Sequence, residues 1–253
     1  MVLYLFLSFF MIGTIFGSFY YVVAYRIPKG ESIVSPPSHC PNCNHRLGPL
    51  ELIPIFSYLF QLGRCKSCKC KISIFYPLYE ILCGLLFGLS YLSYGLSLEL
   101  IIVLLFVSMI IIIILSDYYY MIIPDGVLIF FALSIIVSMF FIHGWYYTLM
   151  HVLYGVISFV IMYSLKIFGD FLFKKESMGG GDIKLLFTFG LMFGFQMSIV
   201  SIFLASVIGL PISLILLKKS NDHVLPFGPY LGIASLIIVL CHIDINMVIN
   251  FIS

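Results

Sequence analysis

The chain has 253 residues, of which 62% are hydrophobic and only 9% are charged. A soluble domain carries roughly 25% charged residues, so this composition excludes an ordinary soluble fold and predicts an integral membrane protein. The net charge of +2 is small and the basic residues are scattered among loops, which excludes nucleic acid as an expected partner.

Runs of about 20 apolar residues are long enough to cross a bilayer as helices. The chain contains eight such runs, near residues 2–25, 76–95, 99–116, 127–143, 147–168, 183–197, 198–217 and 229–250. The predicted fold class is therefore an all-α polytopic membrane bundle of about eight spans. The run at 183–197 is short for a bilayer and could instead be re-entrant or merge with its neighbour. Gly13 and Gly17 in the first run have the G-x-x-x-G spacing that permits close helix packing.

The first run has no basic region before it and no small-residue cleavage pattern after it, so we expect a retained span and not a signal peptide. With eight spans, all 13 Lys and Arg residues fall on one face, which the positive-inside rule makes cytoplasmic. The expected organisation is a first transmembrane helix at 1–25, a cytoplasmic loop domain at 26–75 and a transmembrane bundle at 76–253.

The loop at 26–75 holds five of the seven cysteines. Cys40 and Cys43 form one C-x2-C pair, and Cys65 and Cys68 form another after 21 intervening residues. Four thiolates close a tetrahedral zinc site of the structural kind, and on a reducing cytoplasmic side metal is favoured over disulfides. We therefore predict a structural zinc ion in this loop, with a redox-active dithiol as the alternative.

Three further potential ligands lie next to these pairs. Cys70 is a fifth thiol close enough to compete, and His39 and His45 flank the first pair. We expect each of the three to be a bystander.

Two acidic residues stand at the ends of predicted spans on the predicted cytoplasmic side. Asp117, in SDYYYMIIPD, ends the third span, and Asp182, in GGGDIK, begins the sixth. An ionisable group near the membrane is costly unless it faces a cavity or a partner, which indicates a functional pair. Asp182 alone could be a helix N-cap, whereas the helix dipole disfavours an anion at the position of Asp117. Asp125, directly after Pro124, is expected to cap the fourth span.

Peptide hydrolysis without a metal needs one ionised carboxylate to activate water and one protonated carboxyl to polarise the carbonyl. Asp117 and Asp182 could supply both, and the helix dipoles favour Asp182 as the base and Asp117 as the acid. Gly179, Gly180 and Gly181 remove side chains next to Asp182 and would let an extended peptide approach. A glycine triplet can equally be a flexible linker.

The sequence resembles the type IV prepilin peptidases, which are bifunctional leader peptidases and N-methyltransferases of the bacterial inner membrane. The resemblance runs in order along nearly the whole chain, through GSFYYVVAYRIP, HCPNCNHRL, ELIPIFSYLFQLGRCKSC, ISIFYPLYE, SDYYYMIIPD, GGGDIK and LPFGPYL. It implies an aspartyl protease with a G-x-G-D motif, whose catalytic pair corresponds to Asp117 and Asp182. It also implies zinc at the two C-x2-C pairs.

The same resemblance implies the partners and the location. The substrate would be a pilin-like precursor with a short basic leader, a glycine before the cut and a hydrophobic helix after it. A second reaction would methylate the new amino terminus with S-adenosylmethionine, although the chain has no G-x-G-x-x-G-like loop to hold that cofactor. The expected location is the bacterial cytoplasmic membrane, with the active site facing the cytoplasm.

Three other functions fit parts of the sequence. A catalytic zinc protease is disfavoured because the chain has no H-E-x-x-H and four thiolates leave no open metal position. A transporter would also use intramembrane carboxylates and glycine breaks, but two inverted-repeat halves are not evident. A non-enzymatic assembly scaffold with a structural zinc ribbon is the third.

Overall fold

The structure is a computed structural model that describes residues 1–174, 179–219 and 226–252. Within these ranges the regular structure is helical, with two isolated β-bridges in the cysteine loop, which confirms the predicted all-α class. The α-helices of the described part are α1 (Val2–Arg26), α2 (Phe56–Phe60), α3 (Phe75–Tyr94), α4 (Glu99–Tyr120), α5 (Asp125–His143), α6 (Trp145–Phe173), α7 (Gly180–Lys219), α8 (Gly228–Leu240) and α9 (Ile245–Ile252).

Six of the described helices are long and apolar enough to cross a membrane, namely α1, α3, α4, α5, α6 and α7. Helix α8 is apolar but shorter. This confirms the polytopic membrane fold.

The chain divides into two compact units, Met1–Leu96 and Ser97–Ser253. In the first unit α1 and α3 pack along each other through glycine: a Cβ on Gly13 would lie 2.8 Å from the Cα of Gly84. A Cβ on Gly17 would lie 2.8 Å from the Cβ of Cys83. This is the close packing expected from the G-x-x-x-G spacing. The span predicted at 76–95 thus packs against α1 within this unit.

Helix α4 is the centre of the second unit and packs against α5 and α8. Its middle turns are apolar on nearly every side, as expected of a buried helix segment, and Phe106, Met109, Ile110 and Ile113 are inaccessible to solvent. The last turn of α4 is therefore held at a fixed position among the other helices.

Helix α7 is not one continuous helix. Its backbone leaves helical geometry at Phe193 and at Gly194, which has φ 83 and ψ 164. Residues on both sides of this break meet Ser158 of α6: the Ser158 hydroxyl donates to the hydroxyl of Ser198 at 3.2 Å, and a Cβ on Gly190 would overlap it. In a continuous helix, positions eight residues apart are separated by about 12 Å along the axis. The chain therefore reverses at the break, and α7 is a helical hairpin.

The hairpin accounts for the two runs predicted at 183–197 and 198–217. The turn lies at residues 193–194, whereas the two predicted runs meet at residues 197 and 198; glycine with a positive φ marks where the chain can reverse. The first half of α7 is only about 20 Å long, shorter than the roughly 30 Å hydrocarbon core. Backbone groups near the turn are satisfied within the protein, because His151 Nδ1 donates to the Leu191 carbonyl at 2.7 Å and the Ser198 hydroxyl to the Gly194 carbonyl at 2.8 Å.

Two other predicted boundaries differ from the structure. Helix α4 continues through Tyr120, beyond the predicted end at 116. The run predicted at 229–250 is divided into α8 and α9 by a turn at Cys241 and His242, where His242 has φ 50. Hydropathy alone does not reveal this turn, because apolar residues continue on both sides of it.

Candidate active site and metal centre

Asp117 lies in the last turn of α4 and is 6% exposed. The helix ends at Met121, whose left-handed backbone brings its N–H to the carbonyl of Asp117 at 2.9 Å. The hydroxyl of Ser116 donates to the carbonyl of Ile122 at 2.7 Å. These two bonds fold the connection after α4 back over the helix end and hold Asp117 in a buried position.

Asp182 lies in the first turn of α7 and is 8% exposed. The glycine before it packs directly on the connection between α4 and α5: a Cβ on Gly181 would lie 2.8 Å from the Cβ of Ile123. Only glycine permits this approach. It brings Asp182 to the end of α4, where its carboxylate interacts electrostatically with that of Asp117.

The other two predicted approach glycines have different surroundings. Among the described residues, a Cβ on Gly180 would meet no atom within 4 Å, and one on Gly179 would meet Asp182 Oδ2 at 3.5 Å. Both glycines are exposed. Gly179 and Gly180 thus leave open space next to Asp182, whereas Gly181 is required for packing.

Asp125 does not cap α5, contrary to the prediction. It is the first residue of the helix, after Pro124, and both of its carboxylate oxygens accept from Lys184 Nζ, at 2.7 and 2.8 Å. The two side chains are 58% and 50% exposed, so the pair stabilises the fold by only about 0–1 kcal/mol. It connects the start of α7 to the start of α5 and engages the cation nearest to Asp182 in the sequence.

Gly228, the first residue of α8, completes the site and was missed by sequence analysis. Its N–H donates to Oδ2 of Asp117 at 3.0 Å. A Cβ at this position would lie 2.5 Å from the same oxygen, so a side chain would displace the carboxylate. Pro229 in the first turn could have indicated a helix start here. Nothing in the sequence places that start next to Asp117.

Both carboxylates therefore lie at helix N-termini. Asp182 is in the first turn of α7, and Asp117, although at the C-terminal end of its own helix, accepts the first amide of α8. The positive end of a helix dipole thus faces each carboxylate. The prediction that Asp182 is the base and Asp117 the acid considered only the dipoles of α4 and α7. Once the α8 dipole is included, the dipoles do not distinguish the base from the acid.

Two buried carboxyl groups that interact can hold one proton between them, because two like charges at close range are not both favoured. The ionised member can activate a water molecule, and the protonated member can polarise a carbonyl. Asp117 and Asp182 thus have the parts needed for acid–base hydrolysis of a peptide.

The four predicted zinc ligands lie together in the first unit. The Sγ atoms of Cys40, Cys43, Cys65 and Cys68 are all within 4.8 Å of one another. Sulfurs about 2.3 Å from a tetrahedral zinc ion are separated by about 3.8 Å. The Cys40–Cys68 and Cys43–Cys65 sulfurs are 3.8 and 3.9 Å apart, so the donor set fits zinc.

The two C-x2-C pairs lie in turns of the same form. The N–H of Cys40 donates to the carbonyl of His45 at 2.9 Å, and the N–H of Cys65 donates to the carbonyl of Cys70 at the same distance. His45 and Cys70 are thus at equivalent positions. The His45 ring bonds to Glu51 at 3.1 Å, whereas Cys70 Sγ lies 3.6 Å from Cys40 Sγ, close enough to compete as a ligand.

Donors around the cluster favour the thiolate form of two ligands. The side-chain amide of Asn42 donates to Cys68 Sγ at 3.5 Å and, together with the backbone amide of Cys70, lowers the pKa of that thiol to about 5. The backbone amides of Cys43 and Asn42 lower the pKa of the Cys40 thiol. Because the thiolate is the metal-binding form, these donors favour cation binding at Cys40 and Cys68. Burial and the neighbouring thiols instead raise the pKa of Cys43 to about 11.

Glu51 connects the first turn to the segment that follows it. Its Oε2 accepts the N–H of Gly48 at 2.9 Å and contacts Nε2 of His45 at 3.1 Å. Both contacts lower the pKa of Glu51, with the Gly48 amide contributing most. The Glu51 carboxylate therefore helps to hold the first C-x2-C turn in place.

Comparison with known families divides the chain much as the structure does. Residues 11–94 match the bacterial peptidase A24 N-terminal domain, and residues 104–214 match the type IV leader peptidase family. The first match contains the four zinc-fitting cysteines, and the second contains both aspartates. Gly228 lies beyond the second match.

Individual relatives are similar over nearly their whole length. The chain is 35% identical over 235 residues to a prepilin leader peptidase/N-methyltransferase of Bacillus subtilis, covering 90% of this chain and 91% of the relative. Proteins of the same name from Pseudomonas putida and Neisseria gonorrhoeae are 32% and 29% identical, covering 91% and 95% of this chain and 88% and 92% of the relatives. No solved structure matches the chain significantly.

Proposed function

The chain belongs to the type IV leader peptidase family, and on this basis we propose that Asp117 and Asp182 cleave the leader from type IV prepilin-like precursors. The observation that carries the proposal is that two buried carboxylates, at the ends of α4 and α7, lie near enough to interact electrostatically. Two glycines hold these carboxylates in position. Gly181 packs on Ile123, and the amide of Gly228 donates to Asp117.

In the proposed reaction the two carboxyl groups share one proton. The ionised group takes a proton from water as the water attacks the scissile carbonyl, and the protonated group donates to the carbonyl oxygen. The C–N bond of the resulting gem-diol then breaks as the first group, now protonated, gives its proton to the leaving nitrogen. The second group, now ionised, takes a hydroxyl proton as the carbonyl re-forms, which restores the shared proton. The Gly228 amide holds Oδ2 of Asp117 in place through the reaction. The open surface at Gly179 and Gly180 admits the extended backbone around the scissile bond.

The relatives' names specify prepilin leaders, and the resemblance in sequence motifs extends this to a precursor with a short basic leader followed by a hydrophobic helix. Such a substrate suits a site at the end of membrane helices, because its helix lies in the bilayer while its leader stays in water. The distribution of Lys and Arg supports a cytoplasmic orientation for this side, in a bacterial inner membrane.

Two further groups belong to the proposal. Cys40, Cys43, Cys65 and Cys68 would hold a structural zinc ion, which supplies folding free energy to the loop and no open coordination position. S-adenosylmethionine would supply the methyl group for N-methylation of the new amino terminus, the activity that the relatives' names include. No residue is assigned to that cofactor.

The direct test is cleavage of a prepilin-like precursor by purified protein with a labelled methyl donor, followed by mass spectrometry of both products. We expect leader removal and methylation by the unmodified protein, and loss of cleavage by about 10²-fold or more in Asp117→Asn and in Asp182→Asn, with zinc content unchanged. Full cleavage by either variant would refute the assignment. Chelator-sensitive cleavage would favour a zinc protease, and uptake of substrate without cleavage a transporter.

Topology is tested separately, by accessibility labelling or reporter fusions. Gly95 and Trp145 are expected on the outer side, and Lys69 and Lys175 on the cytoplasmic side. Lys175 lies outside the described residues. A cytoplasmic result at Trp145 would contradict the proposed orientation.

A further inference from the structure

The loop between α1 and α3 carries apolar side chains that are exposed although they belong to no membrane span. They form an apolar ridge, defined here as Phe56 (44% exposed), Leu59 (59%), Phe60 (84%) and Leu62 (85%). The rings of Phe56 and Phe60 stack at 6.5 Å on one face of α2. A contiguous apolar surface of this kind marks an interaction site.

Both ends of α2 are tied to the start of a membrane helix. Before α2, the N–H of Ile55 donates to Oε2 of Glu80 at 2.7 Å. After α2, the N–H of Ile72 donates to the carbonyl of Gly63 at 2.8 Å. Glu80 is five residues inside α3, about 7.5 Å from its first residue, and helix side chains lean toward the N-terminus. Ile72 is three residues before α3. Helix α2 is thus held beside the first turns of α3.

This placement is maintained against local backbone strain. Ile55 has φ 64 and ψ −56, and the N–H of Phe56 donates to the carbonyl of Pro54 at 2.6 Å, which makes Ile55 the centre of a γ-turn of the rare, strained form. A β-branched residue keeps this conformation only where its surroundings fix it. Glu80 provides that fixation through its bond to the Ile55 amide.

The surroundings of the ridge have the chemistry of a lipid-facing surface. The first turns of α3, to which the start of α2 is tied, also expose Phe75 (65%) and Leu78 (51%), as expected of a membrane helix. The second C-x2-C turn, at residues 64–71, follows α2 and contains no acidic residue. It exposes four basic residues, namely Arg64, Lys66, Lys69 and Lys71. Apolar side chains flanked by cations suit the boundary between acyl chains and anionic headgroups.

We propose that the apolar ridge inserts into the bilayer interface and anchors the metal-binding loop on the membrane surface. The partner is a phospholipid surface that contains anionic headgroups. Glu80 acts as a positioning residue, since it holds the turn that places α2 at this depth. This inference goes beyond the proposed peptidase function and does not depend on it.

The test uses tryptophan fluorescence, because Trp145 is the only tryptophan of the chain. Trp145→Phe therefore gives a chain without tryptophan emission, into which single tryptophans are introduced. Phe60→Trp reports on the ridge. Leu50→Trp is the matched control, since Leu50 is 78% exposed in the same loop but lies outside the ridge. The full chain is reconstituted in vesicles of phosphatidylcholine and phosphatidylglycerol, with or without brominated acyl chains.

Phe60→Trp is expected to emit at shorter wavelength than Leu50→Trp, to be quenched more by brominated lipid and to be less accessible to aqueous acrylamide. Equal behaviour of the two tryptophans would overturn the proposal. A blue shift at position 60 that occurs only after a prepilin-like peptide is added would assign the ridge to substrate and would also overturn it.

The role of Glu80 is tested in the Phe60→Trp background. Glu80→Gln keeps an oxygen that can accept the Ile55 amide, so lipid quenching is expected to persist. Glu80→Leu removes the acceptor and is expected to reduce the quenching. Zinc retained by this variant would show that the two C-x2-C turns are still folded. Unchanged quenching in Glu80→Leu would refute the positioning role.

Discussion

The amide nitrogen of Gly228 lies 3.0 Å from Oδ2 of Asp117, a residue 111 positions earlier in the chain. This bond joins the first residue of α8 to the last turn of α4, next to the start of α7 that carries Asp182. The site is therefore built from three helix ends, and a change at any one of them should shift the positions of the two carboxylates.

Gly228→Ala tests this relationship. The added Cβ would lie 2.5 Å from Asp117 Oδ2 and must displace the carboxylate or the start of α8. Because misplacement by about 1 Å can reduce the rate 10²-fold, we expect a loss of precursor cleavage of about that size. Gly126→Ala is the control, since its Cβ would meet no described atom within 4 Å, and its cleavage rate should be unchanged. Cleavage by Gly228→Ala at the rate of the control would contradict the role assigned to this glycine.

Gly180 and Gly181 are adjacent, but they should respond differently to alanine. Gly181→Ala places a Cβ 2.8 Å from the Cβ of Ile123 and should lower the free energy of unfolding by about 1–3 kcal/mol, together with cleavage. Gly180→Ala should leave thermal stability unchanged and raise KM for the precursor, because its added methyl occupies only the proposed approach surface. Thermal unfolding in detergent and steady-state kinetics distinguish the two, and equal destabilisation would show that Gly180 also has a packing role.

Zinc content should separate Cys70 from the predicted ligands. Ser substitution at any of Cys40, Cys43, Cys65 or Cys68 removes one of four thiolates and should lower bound zinc and destabilise the loop, since metal binding is coupled to folding. Cys70→Ser should retain zinc, although its sulfur lies 3.6 Å from that of Cys40. Metal analysis of the purified variants is the measurement. If Cys70→Ser lost as much zinc as the other variants, Cys70 would replace one of the four predicted residues as a ligand.

Glu51 should make the stability of the metal loop depend on pH. Its pKa is below the ordinary 4.5 in the folded loop, chiefly because the Gly48 amide donates to it. This stabilisation is fully present above pH 4.5 and is lost as the pH falls through the lower, folded pKa. Glu51→Gln should therefore be less stable than the unmodified protein near pH 7, and the difference should shrink in acid. Thiolate protonation affects both proteins alike, so a difference that does not change with pH would argue against this role.

The features predicted from sequence are those that a short stretch of chain determines. Long apolar runs predict spans, and the two C-x2-C pairs predict a cluster of sulfurs. The ends of apolar runs locate Asp117 and Asp182 at helix termini. Each of these inferences needs only neighbouring residues.

Features that depend on tertiary contact were not predicted. Nothing local distinguishes Gly181 from Gly180, and only the packing of Ile123 separates them. Asp125 has the sequence context of a helix cap, but a partner 59 residues away takes both of its oxygens. The turn at Gly194 lies within an unbroken apolar run, so hydropathy could not fix its position.

The separation between Asp117 and Gly228 has a consequence for the order of synthesis. Translation at roughly 5–20 residues per second takes about 6 to 22 s to extend the chain by the 111 positions from Asp117 to Gly228. During that interval α4 already carries its aspartate, but the amide that orients it does not yet exist. A ribosome-bound chain thus enters the membrane with an incomplete site, and the last residue needed to orient Asp117 arrives only with α8.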